Sequence, residues 1–498
     1  MVAQGTVVEE EHRGLVVKEK LAHKYHQPKG VEQFGIEPIP EDLKTVKWYD
    51  LFVIVVNFLL NPGMILIGTL AVTAGLSFWA GLTAVVLGIV IAFGAYIVMA
   101  TLGVDYGLPG QVSTRMSYGI RGAKWIPSAV RTVSSIYWFA FQTLAGALGI
   151  VAVLNAWLGV KFSLITVSLV FAILQVAVAL VGYDTLKNLS RVAFPVKIVI
   201  LSYLLYLLMT YDAPNYAPGE VFAYTGTAGW KWAVFSLWVG SVASAWLSMI
   251  TDAADFCRYS STRLDMWVGT MLAAVVGTIF SAFFGAYAAA ATLGKVANPF
   301  EVVTGVTTSG IALFLLLLVI ALDNWTINVL NLYTGGLSLA NIFTKLGRFW
   351  TTFIVSVAGV ALSIIPGLVN GYTGFMSAFG SLFAPIAGVL ITDYVFIKRA
   401  RIDVLALFDR NGPYWYIGGF NPVAVAWTAL GLAGFWLLPQ TAVPIITAAV
   451  ITGIGYYVTV RAVASKSPAV DAAARPGRQY EDVSAADVDL QLVEQATP

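Results

Sequence analysis

The residues best placed to do chemistry sit in one stretch, Asp323-Asn-Trp-Thr-Ile-Asn-Val-Leu-Asn-Leu-Tyr333, directly behind the unbroken apolar run Ile311–Leu322. At 1.5 Å rise per residue, that run carries Asp323 about 18 Å into a hydrocarbon core about 30 Å thick. A charged carboxylate at such depth costs about 3 kcal/mol or more, so its default reading is functional. Asn324, Asn328 and Asn331 recur at i, i+4 and i+7, which sets three amides on one helix face. Each amide offers a donor and an acceptor, the equipment for holding a neutral polar ligand. The competing reading is interhelical hydrogen bonding. A second constellation is Trp138 and Gln142, four residues apart and hence stacked on one face. An indole beside a carboxamide suits a flat heteroaromatic ligand, stacking on its face and exchanging hydrogen bonds with its edge. Trp246 is the candidate for a second plate.

These residues need a membrane scaffold to hold them. The chain has 498 residues, 58% hydrophobic and only 11% charged, where soluble domains carry about 25% charged residues. We therefore expect an all-α integral membrane protein. Twelve apolar segments lie near 49–72, 79–101, 128–155, 161–182, 190–210, 231–251, 265–292, 309–334, 350–366, 374–397, 421–438 and 442–461. Residues 1–47 read as a cytoplasmic N-terminal tail, 48–462 as the transmembrane domain and 463–498 as a disordered cytoplasmic C-terminal tail. The loops on the side of the N-terminus hold thirteen lysines and arginines, from Arg115 to Arg410, against Lys161, Lys231 and Lys295 on the other side. That bias puts both termini in the cytoplasm.

Two segments read as interrupted. The first contains Asn57-Phe-Leu-Leu-Asn61-Pro-Gly63, where Pro62 removes an amide donor and Gly63 loosens the backbone. The sixth contains the small-residue run Val239-Gly-Ser-Val-Ala-Ser-Ala-Trp246. First and sixth are corresponding members of two five-helix halves, and paired interruptions of this kind point to a transporter site built on an inverted repeat.

Other functions lack their residues. The single cysteine, Cys257, excludes an internal disulfide, and the three histidines, His12, His23 and His26, all lie in the N-terminal tail. No intramembrane serine–histidine pair, metal-ligating histidine motif or pore-type repeat occurs, so neither an enzyme nor a channel is expected. No cofactor is implied, and a net charge of +2 gives no basis for a nucleic-acid partner.

Several motifs then resemble one family. Arg115-Met-Ser-Tyr-Gly-Ile-Arg-Gly122 is similar to the Arg-x-Ser-[Phe/Tyr]-Gly-x-x-Gly signature of the nucleobase:cation symporter-1, or purine/cytosine permease, family. Trp138-x3-Gln142, Asp255-Phe-Cys-Arg-Tyr259, Asn328-Val-Leu-Asn-Leu-Tyr333 and Pro385–Tyr394 resemble further family motifs in the same order. The resemblance implies twelve transmembrane helices in a leucine-transporter-like fold, a 5+5 inverted repeat with two C-terminal helices appended. It implies a monomer in the cell membrane, importing a neutral nucleobase such as cytosine or a purine, or a related heterocycle such as allantoin, hydantoin or uracil, by alternating access. The amino-acid and amine branch of the same fold is the alternative, less suited to an aromatic and amide pocket. Trp138 and Trp246 would sandwich the base, Gln142 and Asn331 would read its edge, and Asn328 would lie nearby. None of these substrate positions is an arginine or lysine, which argues against anionic substrates.

Coupling departs from the sodium-dependent pattern. Thr326 matches the first of two hydroxyl positions, but Ile327 stands at the second. The coupling ion is H+ or Na+. A proton on Asp323 is favoured, and a sodium site near Thr326 and the broken helix at Asn61, with Asn57 also in reach, is the alternative. A permanent network joining Asp323 to Asn324 or to an asparagine of the first span is the third possibility. Asp255, Arg258, Arg115 and Asp393 are candidate gate charges on the cytoplasmic side.

Overall fold

The computed structural model of the protein describes residues 8–11, 14–17, 38–39, 43–180 and 183–477. Among these residues, apart from one antiparallel hairpin, Val8–Glu11 with Gly14–Val17, the regular structure is helical. The helices that matter here are α1 (Trp48–Leu59), α2 (Pro62–Thr73), α3 (Phe78–Tyr106), α4 (Ala129–Leu158), α5 (Leu164–Ala179) and α6 (Tyr183–Met209). They continue with α7 (Trp232–Leu247), α8 (Ala253–Cys257), α9 (Arg263–Ala291), α10 (Gly310–Ile342), α11 (Gly347–Leu362) and α12 (Tyr372–Ile391). Then come α13 (Pro422–Phe435), α14 (Pro444–Ala464) and α15 (Pro468–Ala474). Every predicted apolar segment contains a helix. Seven are long and apolar enough to cross a membrane, the bent pair α1–α2 makes eight, and α5, α6, α11 and α13 are shorter apolar helices.

The first span is broken where the sequence expects it. Leu60 leaves the helix, and α1 and α2 meet at 51°. Asn61 caps α2, its Oδ1 accepting from Met64 N at 2.9 Å, while Pro62 takes the first helical turn, where an amide donor has no partner to lose. The Asn61 Nδ2 also donates to the Phe58 carbonyl, so one side chain ties both halves of the break.

The sixth span corrects the expectation about where it breaks. Val239–Trp246 stays helical inside α7, and the interruption falls one turn later, through the 3-10 turn Ser248–Thr251 and Asp252, before α8. The small residues serve packing instead. A side chain on Gly88 of α3 would run into Val242 and the Val239 carbonyl, so α3 and α7 touch nearly backbone to backbone. The third and eighth spans, α4 and α10, pack along their lengths.

The C-terminal tail also differs from expectation. Its Ala-rich start forms α15, with Val470 and Ala473 buried, and Gly477 N donates to the Arg401 carbonyl at 3.1 Å. Small apolar side chains spaced three apart give this short helix a face to bury. Residues 478–498, like most of the N-terminal tail, lie outside the described residues. The lead-in is laced to helix ends: Ile39 N donates to Gly107 O and Val46 N to Tyr259 O, each at 2.9 Å.

Candidate functional site

At the break of the first span, α2, α4, α7 and α10 leave a cavity. Met64 and Ile67 line it from α2, Arg131, Trp138 and Gln142 from α4, Ala245 and Trp246 from α7, Ser248 and Met249 from the following turn, and Ile327, Leu330 and Asn331 from α10. Four of the five residues expected to bind substrate therefore converge on one space. Trp138 is fixed edge-on between Tyr137 and Phe141, at ring-centroid distances of 5.4 and 5.5 Å. Trp246 leans on Phe93 of α3 at 5.7 Å. The Gln142 amide lies against Gly63, where even a methyl group would collide with it, so the glycine of the break admits this side chain.

The cavity wall leaves polar atoms over. Trp138 Nε1, Trp246 Nε1 and Gln142 Oε1 are buried with no hydrogen-bond partner among the described residues. Buried polar groups are nearly always paired, so three such groups on side chains that line one cavity mark a place for a ligand.

Asn328 is the fifth expected residue, and it faces away from this cavity. Its Nδ2 donates to Thr143 Oγ1 at 3.0 Å, to the Phe139 carbonyl at 3.3 Å and to Gln175 Oε1, while its Oδ1 accepts from Asn331 Nδ2 at 3.1 Å. It supports Asn331 from behind.

Two cations appear that the sequence reading did not expect. Arg131 lines the cavity, with its Nη2 2.9 Å from Asp252 Oδ2. The same guanidinium donates to the Ser248 carbonyl at 3.1 Å and to Thr334 Oγ1 at 3.0 Å. Its charge is compensated, so the cavity floor is an ion pair and not a bare cation. Lys197 of α6 is fully buried, and its ammonium sits on the break itself. It meets Asp323 Oδ1 at 2.6 Å, donates to the Leu60 carbonyl at 2.9 Å and to Thr326 Oγ1 at 3.3 Å. Carbonyl, hydroxyl and carboxylate oxygens around one point make a cation site, and here the protein supplies the cation. A sodium ion near Thr326 and Asn61 would have to share these oxygens with that ammonium or displace it. Asp323 is thus neither isolated nor netted to an asparagine. Asn57 Nδ2 donates back to the Val53 carbonyl at 2.6 Å, and Asn61 is occupied as a cap.

This geometry can be set beside known proteins. A family profile described as a permease for cytosine/purines, uracil, thiamine and allantoin matches residues 38–459. The chain belongs to this permease family. The permease is 28% identical over 387 residues to the hydantoin permease of Microbacterium maritypicum, covering 74% of this chain and 77% of that one. It is 26% identical over 451 residues to the allantoin permease of Bacillus subtilis, covering 83% and 88%. Its fold is similar to that of a nucleobase-cation-symport-1 family transporter solved in a closed conformation with bromovinylhydantoin bound. The TM-score is 0.75 and the identity 23%, over 87% of this chain and 96% of the other. The fold is accordingly the leucine-transporter-like inverted repeat, and the permease is a multi-pass membrane protein.

The expected gate charges of the permease are all buried. Asp393 is 2.6 Å from Lys398 and also accepts from Ser117 Oγ and Tyr456 Oη. Asp255 Oδ1 accepts from Gly110 N at 2.7 Å, Arg258 donates to Tyr333 Oη at 2.8 Å, and Arg115 holds Asn341 and the Leu407 carbonyl. They lock helix ends together. A signal for the two missed cations was present. Arg131 is the third residue of α4, and Lys197 stands twelve residues before the end of α6 in the run Phe194-Pro-Val-Lys-Ile-Val-Ile200. Counting only loop charges for orientation passes over both.

Proposed function

We propose that the permease is a proton-coupled symporter that imports a neutral nucleobase such as cytosine or a purine, or a related heterocycle, by alternating access. The observation that carries this reading is the cavity walled by two indoles whose N–H groups, with Gln142 Oε1, have no partner among the described residues. A planar heterocycle fills such a slot with its faces on apolar side chains and its edge toward the amides of Gln142 and Asn331. The ion pair of Arg131 with Asp252 leaves no net charge in the wall, which favours a neutral substrate.

The coupling reading rests on Lys197. Its ammonium joins α6 to the break of the first span and to α10. A proton arriving on the Asp323 carboxylate cancels the charge that holds the ammonium and loosens this three-way joint. Loss of the proton to the cytoplasm restores it. The protein acts as a monomer in the cell membrane, with both termini in the cytoplasm.

Purified protein in liposomes tests the reading, using labelled cytosine, adenine, hypoxanthine, uracil, allantoin and hydantoin. Proton and sodium gradients are imposed separately at clamped membrane potential. Saturable uptake of at least one compound, driven by an inward proton gradient in sodium-free buffer, is expected. Sodium dependence at constant pH refutes the proton coupling, and uptake of none of the six refutes the substrate class.

A further inference from the structure

Which end of an amide is nitrogen is decided by its partners, and behind the cavity those partners form a directed chain. Asn328 Nδ2 faces the main-chain carbonyl of Phe139 at 3.3 Å, and a carbonyl can only accept. The nitrogen of Asn328 is therefore pinned toward α4. Thr143 Oγ1 donates to Gln175 Oε1 at 3.3 Å, which leaves its lone pair for Asn328 Nδ2 at 3.0 Å, and Gln175 Oε1 accepts from Asn328 as well. Three acceptors thus share the two N–H hydrogens of this amide in a region with no solvent exposure: Asn328, Thr143 and Gln175 are all 0% exposed. The oxygen of Asn328 must then point the other way, where it accepts from Asn331 Nδ2 at 3.1 Å. Asn331 in turn spends its nitrogen on Asn328, while its Oδ1 accepts no bond among the described residues and the side chain lines the cavity.

We propose that Gln175, Thr143 and Asn328 are positioning residues that lock Asn331 with its oxygen toward the cavity, so that the site demands an N–H from the substrate at that point. The indole N–H groups of Trp138 and Trp246 are donors left over on the same cavity. The complementary edge is a ring N–H flanked by carbonyl oxygens, as in cyclic imides and ureides. The edge of an aminopyrimidine or aminopurine, with a bare ring nitrogen where the imide has N–H, sets acceptor against acceptor at Asn331. The inference rests on the heterocycle-transport reading and narrows its substrate class.

Two nearly isosteric pairs test it, since uracil against cytosine and hypoxanthine against adenine each exchange a ring N–H for a bare nitrogen. Uptake by the liposome-reconstituted protein is measured at limiting substrate, and binding of the same four compounds in detergent is measured by quenching of tryptophan fluorescence. In the wild type, the keto member of each pair is expected to be preferred at least tenfold. Thr143→Val, Gln175→Leu and Asn328→Ala are expected to bring that ratio toward one, because Asn331 can then turn. Gln175→Glu, which keeps an acceptor facing Asn328, is expected to retain it. Thr143→Val is close to isosteric and keeps the test alive if the larger changes fail to fold. A wild-type preference for the amino members overturns the proposal, as does an equal loss for all four compounds with the ratio unchanged. Transport and binding of none of the heterocycles overturns instead the reading on which the proposal rests, and the proposal falls with it.

Discussion

Replacing Lys197 by alanine removes a cation from the break while leaving the oxygens that surround it. The ammonium is in contact with Asp323 Oδ1, the Leu60 carbonyl and Thr326 Oγ1, at 2.6, 2.9 and 3.3 Å. Removing one partner of a fully buried pair costs about 3–5 kcal/mol, chiefly through the charge left without compensation. Lys197→Ala is therefore expected to lower the thermal midpoint of the detergent-solubilised protein strongly and to end proton-driven uptake. The void left has a carboxylate, a carbonyl and a hydroxyl on its wall, all hard oxygen ligands. Sodium is expected to fill it. An ion at 100 times its dissociation constant returns about 2.7 kcal/mol, so sodium chloride should restore most of the lost stability, whereas choline chloride at equal ionic strength should not. Wild-type protein, with its own ammonium in place, should show no difference between the two salts. The assay is a melting series of both proteins in the two salts from 1 to 300 mM. If Lys197→Ala melts like the wild type and transports with the same proton dependence, the ammonium is not the internal cation of this site and the reasoning fails.

Three further outcomes follow from the cavity. Trp138→Ala and Asn331→Ala should each raise KM for uptake by tenfold or more while leaving folded protein in the membrane, since a buried aromatic plate contributes about 1.5–3 kcal/mol of burial; normal transport by both variants would move the site elsewhere. Gly63→Ala should misplace Gln142, whose amide occupies the space of the new methyl, and should raise KM with little loss of stability, read from uptake kinetics beside a melting curve. Asp252→Asn and Arg131→Met should each cost about 3–5 kcal/mol by orphaning the other charge of the pair, and the double variant should melt higher than either single one.

What the sequence made legible follows from where its signals come from. Local chemistry announces itself: Asn61-Pro-Gly63 breaks a helix by capping and by missing donors, and the structure breaks there. The i, i+4 pair Trp138 and Gln142 shares a face because helix geometry demands it, and both reach the cavity. Small residues are ambiguous by nature. Val239–Trp246 reads equally as an unwound stretch or as a packing face, and only the neighbour α3 decides for packing. Asn328 and Asn331 carry the same side chain three residues apart, yet one faces α4 and α5 and the other the cavity. That division depends on helix rotation, which periodicity gives only to within a residue. Lys197 is the clearest case of what pattern alone cannot deliver. It is a cation inside an apolar segment, and its meaning appears only when α6 brings it to a carbonyl of the break and a carboxylate of α10.

The arrangement along α10 explains how ion and substrate can act on each other. Asp323 and Thr326 hold the ammonium, Asn328 and Asn331 stand between, and Thr334 accepts from the Arg131 guanidinium at the cavity floor. From Asp323 to Thr334 is about 16 Å along a single rigid helix at 1.5 Å per residue. Rigid separation alone transmits nothing, because two ligands couple only through an element whose state both of them bias. That element is the break between α1 and α2. The Lys197 ammonium holds it at the Leu60 carbonyl, and three residues later Gln142 rests on Gly63. Under the proposed function, a proton on Asp323 would change the grip at Leu60, and a heterocycle bonded to Gln142 would change the contact at Gly63. Both therefore bias the same few residues at a bend of 51°, and under the proposed function that shared hinge is where proton and substrate become one transport event.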